Sequence, residues 1–443
     1  AFQILRFRPI IAAVLFALPC LSFRPPTTAK SLPITSKHFS LLAVESTTAT
    51  PKIGVILLNL GGPERSEDVE GFLYNLFADP DIIRLPVFLS VFQSPIAKII
   101  SSRRAPKSIK AYESIGGGSP IVKWTRAQAK GIQDGLSTKG FKNANVYVAM
   151  RYWHPFTDEA LKEMEDDGIN TLVIVPLYPQ FSISTSGSSL RVLREAFLSD
   201  LGKWGPQKLR HTVVPAWFDR PGYTKAMGRL IVKEIEKYSD EERKDGVVVL
   251  FSAHGVPQSY IEAGDPYKFQ VEKCVSLIQR EYEECGVKTE LSYQSRVGPI
   301  EWLKPYTEDK IIELGKAGVK NLVVVPISFV SEHVETLEEI DIEYKELAED
   351  NGIENWKRVP ALNTDQFFLN DMTDLIIQAL KEPSVSLSEA CSQNNVDLGG
   401  DPLAQAVREN KTRNKLLGLA TLGTVILDMC FGKGIGHLFG VPL

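Results

Sequence analysis

The feature that most constrains the fold is an internal repeat of two similar segments 150 residues apart. EMEDDGINTLVIVPLYPQFSIS begins at Glu163, and ELGKAGVKNLVVVPISFVSEHV begins at Glu313. In each, Gly168 or Gly318 lies where a helix C-terminus favours a left-handed glycine. The following runs, LVIV and LVVV, lack polar alternation, which indicates parallel strands covered by helices on both faces. We therefore expect the same helix–strand unit twice.

A second, looser pair of segments extends the repeat. IGVILLNLGGP begins at Ile53 and GVVVLFSAHGVP at Gly246, and each reads as a strand that leads into a glycine-containing loop. Helical stretches such as AQAKGIQDGL lie between the strands. This order predicts an α/β protein with an N-terminal lobe at 51–230 and a C-terminal lobe at 245–382, each a parallel sheet with helices outside. Ligands of such folds bind beyond the carboxyl ends of the strands.

Composition excludes several classes of protein. The 443 residues are 44% hydrophobic and 23% charged, which is a globular composition sufficient for two or three domains. The net charge of −4 argues against nucleic acid as a partner. The five cysteines form no CxxC pair and no zinc-like spacing, so we expect a reduced compartment without disulfides.

Both ends of the chain differ from the middle. Residues 1–50 open with basic residues before a short apolar run and continue rich in Ser, Thr and Lys. This pattern resembles the two-part leader, signal plus transit, of algal plastid proteins; a signal-anchor is the alternative. A polar linker occupies 383–410. The tail at 411–443 contains an apolar run after three basic residues, which favours a membrane-anchoring helix over an amphipathic docking helix.

The residues directly after the predicted strands are the candidates for function. No GxGxxG follows a strand, and the sequence has no P-loop, no HExxH and no GxSxG. What the strand ends offer is one histidine in the second lobe, an acidic helix start and several polar or aromatic side chains. These residues are Leu60, Arg151, Tyr152, Tyr178, His254, Glu332, His333 and Glu335.

An acidic ladder follows the second repeat. Glu332, Glu335, Glu339 and Glu343 have a spacing that would place four carboxylates along one face of a helix. Like charges at this spacing cost stability. Two interpretations remain open from the residues alone, a solvated acidic face and a site where cations bind or pass.

An apolar segment in the first lobe is followed by basic residues. RLPVFLSVFQSPIAKII begins at Arg84 and leads into SSRRAPK, which contains Arg104. The segment is either a buried helix or an exposed apolar lip for a hydrophobic ligand or a membrane surface. Arg104 and Arg151 are candidate anion-binding residues.

Eight motifs together resemble the ferrochelatase family. They are LLNLGGPE (57–64), LFADPDIIRLP (76–86), IGGGSPI (115–121), RYWHP (151–155), YPQFSISTSGSS (178–189), FSAHGVP (251–257), YQSRVGP (293–299) and FVSEHVETLEEIDIEY (329–344). The resemblance covers Lys52 to Lys381 and is closest to the plant and algal plastid type. It implies two Rossmann-like lobes in a chelatase fold, followed by a C-terminal hydrophobic, light-harvesting-like helix.

The family's activity is the insertion of Fe²⁺ into protoporphyrin IX, which forms protohaem and releases two protons. The resemblance implies that His254 and Glu335 are the catalytic and metal-binding pair, with His254 as a base against the macrocycle. Glu332, Glu339 and Glu343 would form a carboxylate path for metal or protons. His333 lies within the same motif without an assigned role.

The resemblance also implies a binding site for a flat apolar ring with two propionates. Arg104, Tyr112 and Ser119 match positions that hold the propionates, since Arg suits bidentate recognition of carboxylates. The positions that match the pocket wall are Leu60, Arg151, Tyr152, Tyr178, Trp302 and Phe329.

Departures from the animal-type pattern limit the cofactors. The cysteine cluster that binds iron–sulfur in animal-type members is missing, so we expect no iron–sulfur cluster and no cofactor beyond the Fe²⁺ substrate. The pigment motif of the tail is degenerate, which makes pigment binding doubtful. We expect a plastid protein attached to the membrane surface through the lip at 85–100 and the tail.

Three rival functions share parts of this pattern. A chelatase for another tetrapyrrole or metal would need more basic residues than Arg104 provides, because such tetrapyrroles are more acidic. A silent tetrapyrrole carrier or regulator could dispense with His254 or Glu335, yet both are present. A two-lobed small-molecule binding protein is the third alternative.

Overall fold

The computed structural model describes residues 51–381 except 84, 86, 206 and 299. The expectations about the leader at 1–50, the linker at 383–410 and the tail at 411–443 lie outside the described residues, as do parts of the lip. The described chain contains two four-stranded sheets, and every strand pair in them is parallel. The predicted fold class is therefore confirmed.

The first sheet has the order β2-β1-β3-β4. Its central strand begins with Ile53, which is in register with Ala144 on one side and Thr171 on the other. Six of the seven side chains of this strand are buried, as the unalternating apolar run predicts. The strands are β1 (Ile53–Asn59), β2 (Ala144–Met150), β3 (Thr171–Pro176) and β4 (Arg210–Val213).

The second sheet repeats this topology with the order β6-β5-β7-β8. Its central strand is again the first in chain order, and its third strand again ends in a proline, Pro326 in place of Pro176. The internal repeat of the sequence thus corresponds to a repeat of strand order. The strands are β5 (Val247–His254), β6 (Lys288–Gln294), β7 (Asn321–Pro326) and β8 (Asn355–Arg358).

Helices flank both sheets. The last one, α13, follows the second sheet in the chain but packs against α3 and α7. One apolar core therefore joins residues of both sheets, such as Val173 and Val323, with Phe368 of α13. The helices are α1 (Val69–Ala78), α2 (Gln93–Ser114), α3 (Ile121–Thr138), α4 (Thr157–Asp166), α5 (Ser188–Ser199), α6 (Leu201–Trp204), α7 (Pro221–Ile235), α8 (Asp240–Lys244), α9 (Gln258–Glu262), α10 (Tyr267–Arg280), α11 (Thr307–Lys316), α12 (Lys345–Asp350) and α13 (Gln366–Lys381).

Five shorter or wider helical segments complete the described chain. Three are 3-10 helices at Ser66–Asp68, Val87–Phe92 and Glu283–Cys285. The other two are π-helices, at Ile183–Gly187 and Glu335–Tyr344. Each π-helix follows the third strand of a sheet, and π-helices are rare and frequent at functional sites.

Hydrogen bonds connect the loops beyond the carboxyl ends of the two sheets. Asp265 of the second lobe is buried and accepts hydrogen bonds from Ser182 Oγ and the backbone N–H of Ile183, both at 2.9 Å. The Tyr260 hydroxyl donates to the carbonyl of Asp81 at 2.8 Å. The strand ends of both lobes therefore face a common cleft.

A buried carboxylate, that of Asp79, ties the end of α1 to strand β2 and helix α5. It accepts hydrogen bonds from Arg151 (2.7 Å), Tyr152 (2.7 Å), Ser188 (2.5 Å) and Arg191 (2.9 Å). Burial alone would raise the pKa of Asp79, but the charge of Arg151 and these hydrogen bonds hold it below its usual range. The Asp79 cluster is therefore a buried network of ion pairs and hydrogen bonds, and its role is structural.

Replacing Asp79 with Ala should strongly destabilise the protein. The change leaves two largely buried guanidinium groups without their carboxylate, which typically costs about 3 to 5 kcal/mol. Urea unfolding of parent and variant measures the loss. The control is Glu67→Ala, which removes an exposed ion pair with Arg65 and should change the free energy of unfolding by less than about 0.5 kcal/mol. Equal losses in both variants would contradict the role given to the cluster.

Candidate active site

His254 is the last residue of β5 and points its ring toward the cleft. Its Nδ1 lies 2.6 Å from the carbonyl oxygen of Gly255, and a carbonyl can only accept, so Nδ1 carries the hydrogen. The free Nε2 then lies 3.8 Å from Oε2 of Glu335. The ring is about one-third exposed, so a ligand in the cleft can reach it.

His333 approaches the same carboxylate from the other side. Its Nδ1 lies 3.1 Å from the carbonyl oxygen of Ser331, which fixes the tautomer in the same way. Its Nε2 lies 3.8 Å from Oε2 of Glu335. One carboxylate oxygen thus faces two imidazole nitrogens, each at a distance too long for a hydrogen bond.

Glu335 lies at the centre of this group, and about one-quarter of its side chain is exposed. Its Oε2 is buried and has no hydrogen-bond partner. Burial alone would raise its pKa, but His254 first and then His333 hold the pKa of Glu335 below its usual range. A buried oxygen that the protein leaves unpaired, beside two imidazole nitrogens, is the arrangement that a cation would complete.

Glu339 lies next along the acidic segment, and both of its carboxylate oxygens accept hydrogen bonds from protein side chains. Its Oε2 accepts a hydrogen bond from Ser295 Oγ and its Oε1 one from Tyr344 Oη, both at 2.7 Å. Burial, and then the charge of Glu335, raise the pKa of Glu339 to about 7. Two neighbouring carboxylates thus differ in protonation, because their surroundings differ.

The acidic segment is a π-helix over Glu335–Tyr344, not the α-helix assumed from the sequence. Glu332 lies before it and turns away: both of its oxygens contact Arg358 Nη1, at 3.0 and 3.1 Å, and it also accepts from the backbone of Ala361. The prediction of four carboxylates on one helical face is therefore wrong, since Glu332 is held by β8. Glu343, at the far end, is half exposed and lies 3.9 Å from Lys107.

Aromatic residues from the predicted pocket wall surround the two histidines. The ring centroid of Phe329 lies 6.2 Å from that of His254 and 4.3 Å from that of His333, edge-on in both cases. Trp302 donates its indole N–H to the carbonyl of Val297 at 2.8 Å. Trp302 also packs near the backbone of Gly255, where an added Cβ would lie 3.2 Å from its ring.

Two buried phenols extend the same wall. Burial, and to a smaller degree the charge of Glu335, raise the pKa of Tyr112. Burial also raises the pKa of Tyr178, whose hydroxyl is buried without a well-formed hydrogen bond. Both stay protonated at neutral pH and can act there only as neutral hydrogen-bonding groups.

The predicted propionate-binding residues lie on two consecutive helices. Arg104 and Tyr112 are on α2, and Ser119 lies two residues before the start of α3. Ser119 Oγ lies 3.4 Å from the backbone nitrogen of Ile121 and is in close contact with Gly62, where an added Cβ would lie 2.7 Å from this oxygen. Leu60, half-buried, packs against the core under α1 and α2.

Arg151 and Tyr152 are placed differently from the other predicted wall residues. Tyr152 is completely buried and donates to Asp79, while Arg151 contacts Asp79 and Ser188 and stacks over the Tyr152 ring at 4.7 Å. Their polar groups bind the Asp79 carboxylate, so these two residues support the pocket wall without contributing polar groups to it.

The sequence reasoning missed Arg358, the residue that holds Glu332. It is the last residue of β8 and also lies 2.8 Å from Asp341 of the π-helix. The rule that strand ends carry function would have found it. The signal was weak because all four residues of β8 are only partly buried and form no apolar run.

Neither a preformed metal cage nor a membrane-spanning helix occurs in the described part of the chain. Among these residues, no three or more His, Cys, Asp or Glu side chains are arranged to hold a metal ion. No helix within the same ranges is long and apolar enough to cross a membrane. Within the lip, Val91, Phe92 and Ile99 are exposed at 76%, 51% and 49%.

Comparison with known proteins gives a consistent result. The ferrochelatase family model matches residues 52–380. A similar relative is ferrochelatase-2, chloroplastic, of Arabidopsis thaliana, which is 48% identical over 94% of this chain and 85% of its own length. The ferrochelatase of a Cyanothece strain is 49% identical over 88% of this chain and 99% of its own.

The two parallel sheets and the imidazole–carboxylate cleft between them define a metal chelatase with two α/β lobes. The chain belongs to the ferrochelatase family, as 48% identity over nearly its whole length shows. As a ferrochelatase it is an enzyme that inserts Fe²⁺ into protoporphyrin IX in haem synthesis, which confirms the predicted family and function. The chloroplastic relatives support a plastid location.

The raised pKa of Glu339 predicts a pH-dependent stability. Folding favours the protonated carboxyl, so its stabilising contribution is complete below the unfolded value near 4.5 and is lost as the pH rises through about 7. The free energy of unfolding of the parent should therefore fall, relative to Glu339→Gln, by on the order of 1 to 3 kcal/mol between pH 5 and pH 8. Urea unfolding at both pH values measures this difference. A constant difference would contradict the assigned pKa.

Proposed function

We propose that metal insertion takes place in the cleft where His254, His333 and Glu335 meet. The observation that supports this site is the buried Oε2 of Glu335, which has no hydrogen bond and lies 3.8 Å from both Nε2 atoms. No structural role requires an acceptor to stay unpaired there, and leaving one buried typically costs about 1 to 3 kcal/mol.

Glu335 and His254 are the pair that receives Fe²⁺ and passes it to the ring. Imidazole and carboxylate both bind Fe²⁺ but hold it less tightly than a thiolate set, which suits an ion that must leave again. Because the two side chains replace part of the water around Fe²⁺, they also lower the cost of dehydrating the ion before it reaches the four pyrrole nitrogens.

His254 also acts as the proton acceptor. Protoporphyrin IX has two pyrrole N–H groups, and both N–H bonds must break as the ring nitrogens bind Fe²⁺. In the neutral imidazole whose Nδ1–H binds Gly255, Nε2 is the nitrogen that accepts a proton, and it is open to the cleft, as a general base requires. Glu339 and Glu343 then carry protons or metal between this point and solvent.

The ring is held by apolar and aromatic walls from both lobes. Leu60, Tyr178, Trp302 and Phe329 form these walls, with Arg151 and Tyr152 supporting them through Asp79. The propionates bind at Arg104, Tyr112 and Ser119, because charge-assisted and hydroxyl hydrogen bonds match carboxylate acceptors. Glu332 serves the site indirectly, by fixing the start of the π-helix to Arg358.

The protein attaches to a membrane surface through its lip. Val91, Phe92 and Ile99 support this because large apolar side chains are exposed together there. The hydrophobic tail at 411–443 is the second attachment. No iron–sulfur cluster is required for the chemistry. We therefore predict that the purified protein lacks the visible absorbance of such a cluster.

Replacing His254 with Ala should abolish haem formation while porphyrin affinity changes less than about threefold. The variant loses the base and one metal ligand but keeps the walls, and loss of a general base typically costs about 10² to 10⁴ in rate. Anaerobic incubation with Fe²⁺ and protoporphyrin IX, followed by haem absorbance and porphyrin fluorescence, measures both. Haem formation at the parent rate would contradict the assignment. Tight porphyrin binding without insertion by the parent would indicate a carrier.

Replacing Arg104 with Leu should weaken porphyrin binding first. One charge-assisted contact with a propionate is lost, which corresponds to about 1.5 to 3 kcal/mol. Fluorescence titration with protoporphyrin IX and with its dimethyl ester measures the change. The control is the ester, which has no carboxylate and should bind parent and variant alike. A loss of equal size for both ligands would exclude a propionate contact.

A further inference from the structure

We infer that Gln128 is a positioning residue for His333 and Glu335 of the metal site. It lies on α3 of the first lobe and holds the segment of the second lobe that orients His333 and Glu335. The inference rests on the proposed function, because it concerns the geometry of the same site. Gln128 itself touches neither histidine nor the carboxylate.

The amide of Gln128 is completely buried and binds across the cleft between the lobes. Its Nε2 donates to the carbonyl of Asn363 at 2.9 Å, to Ser331 Oγ at 3.1 Å and to the carbonyl of Val330 at 3.2 Å. The two N–H groups thus share three acceptors, all on the second lobe. The side chain is a single clamp over the turn that precedes the π-helix.

This turn sets the orientation of His333. The carbonyl of Ser331 accepts the Nδ1–H of His333, so any shift of Ser331 rotates the imidazole that faces Glu335. Asn363 completes the clamp: its Oδ1 accepts from the backbone of Glu332 at 3.0 Å, and its backbone N–H donates to Val330 at 2.8 Å. Gln128 therefore binds both segments that meet here, the turn at Val330 and Ser331 and the loop at Asn363.

Helix α3 also contacts the wall of the porphyrin site. Thr125, one turn before Gln128, accepts a hydrogen bond from Asn59 at 3.0 Å, and Asn59 in turn accepts from the backbone N–H of Leu60 at 2.8 Å. Ser119 lies two residues before the start of the same helix. One rigid helix thus fixes the wall at its first turns and the metal segment through Gln128, which sets the distance between ring and metal.

An amide is the group that can do this beside a cation. It donates to carbonyls as Lys or Arg would, but it adds no positive charge that would repel Fe²⁺, and no carboxylate that would bind it. The interaction is neutral, so its contribution does not change with pH. Its removal would leave buried carbonyls without a donor and also cost stability.

The test separates positioning from stability by a matched pair of variants. Gln128→Met keeps the length of the side chain and removes its hydrogen bonds. The control is Asn321→Leu, at the start of β7 and the opposite end of the sheet. Asn321 is also buried and donates its amide to two carbonyls, of Glu242 at 2.8 Å and Gly246 at 3.1 Å.

Three properties are measured on each full-length variant. They are the free energy of unfolding in urea, protoporphyrin IX affinity by fluorescence, and Co²⁺ affinity from its visible spectrum without porphyrin. Both variants should lose similar stability and keep porphyrin affinity within about twofold. Only Gln128→Met should weaken Co²⁺ binding and raise the KM for Fe²⁺, by about tenfold, as is typical when the support of a metal ligand is removed. Equal Co²⁺ affinity in the two variants would overturn the inference.

A double variant tests whether Gln128 acts through His333. If it does, adding Gln128→Met to His333→Ala should weaken Co²⁺ binding much less than Gln128→Met does alone, because coupled residues are not additive. A full tenfold loss in the His333→Ala background would overturn that route. If His254→Ala forms haem at the parent rate, the proposed function fails, while the Co²⁺ comparison still decides the role of Gln128.

Discussion

The arrangement of the site depends on one costly interaction, the burial of one oxygen of the Glu335 carboxylate, which no hydrogen bond satisfies. Removing a charge from water costs several kcal/mol unless opposite charge or donors replace the water. The protein supplies two imidazoles, each held by a backbone carbonyl so that its Nε2 faces this oxygen. The end of β5, the turn after β7 and the π-helix, all in the second lobe, must therefore meet within a few ångströms.

The carboxylates of the π-helix form a series with different surroundings. The histidines hold the pKa of Glu335 below its usual range. Burial and the charge of Glu335 raise the pKa of Glu339 to about 7, and Glu343 is half exposed. A divalent cation that binds beside Glu335 would weaken its repulsion of Glu339 and release a proton. Metal uptake and proton release are thus coupled by electrostatics and need no conformational change.

The sequence predicted what local patterns encode and missed what distant contacts decide. Unalternating runs such as LVVV predicted both sheets, and the strand-end rule brought His254 and Glu335 to one cleft. The same reasoning placed Glu332 on a shared helical face, because an α-helical period was assumed and the weakly patterned strand that carries Arg358 was not recognised. Tyr152 was assigned to the ligand wall, whereas Asp79, 73 residues earlier, holds it inside the protein.

The two π-helices occupy matching places after β3 and β7 but carry unlike sequences, ISTSG and ETLEEIDIEY. If the cleft were formed by two identical half-length subunits, symmetry would place the same side chains on both of its sides. Either both would be acidic, leaving no neutral surface for an apolar disc, or neither would attract a cation. Joining the halves in one polypeptide removes that restriction, so the duplicated backbone can carry a neutral, hydroxyl-rich helix in one half and an acidic helix in the other.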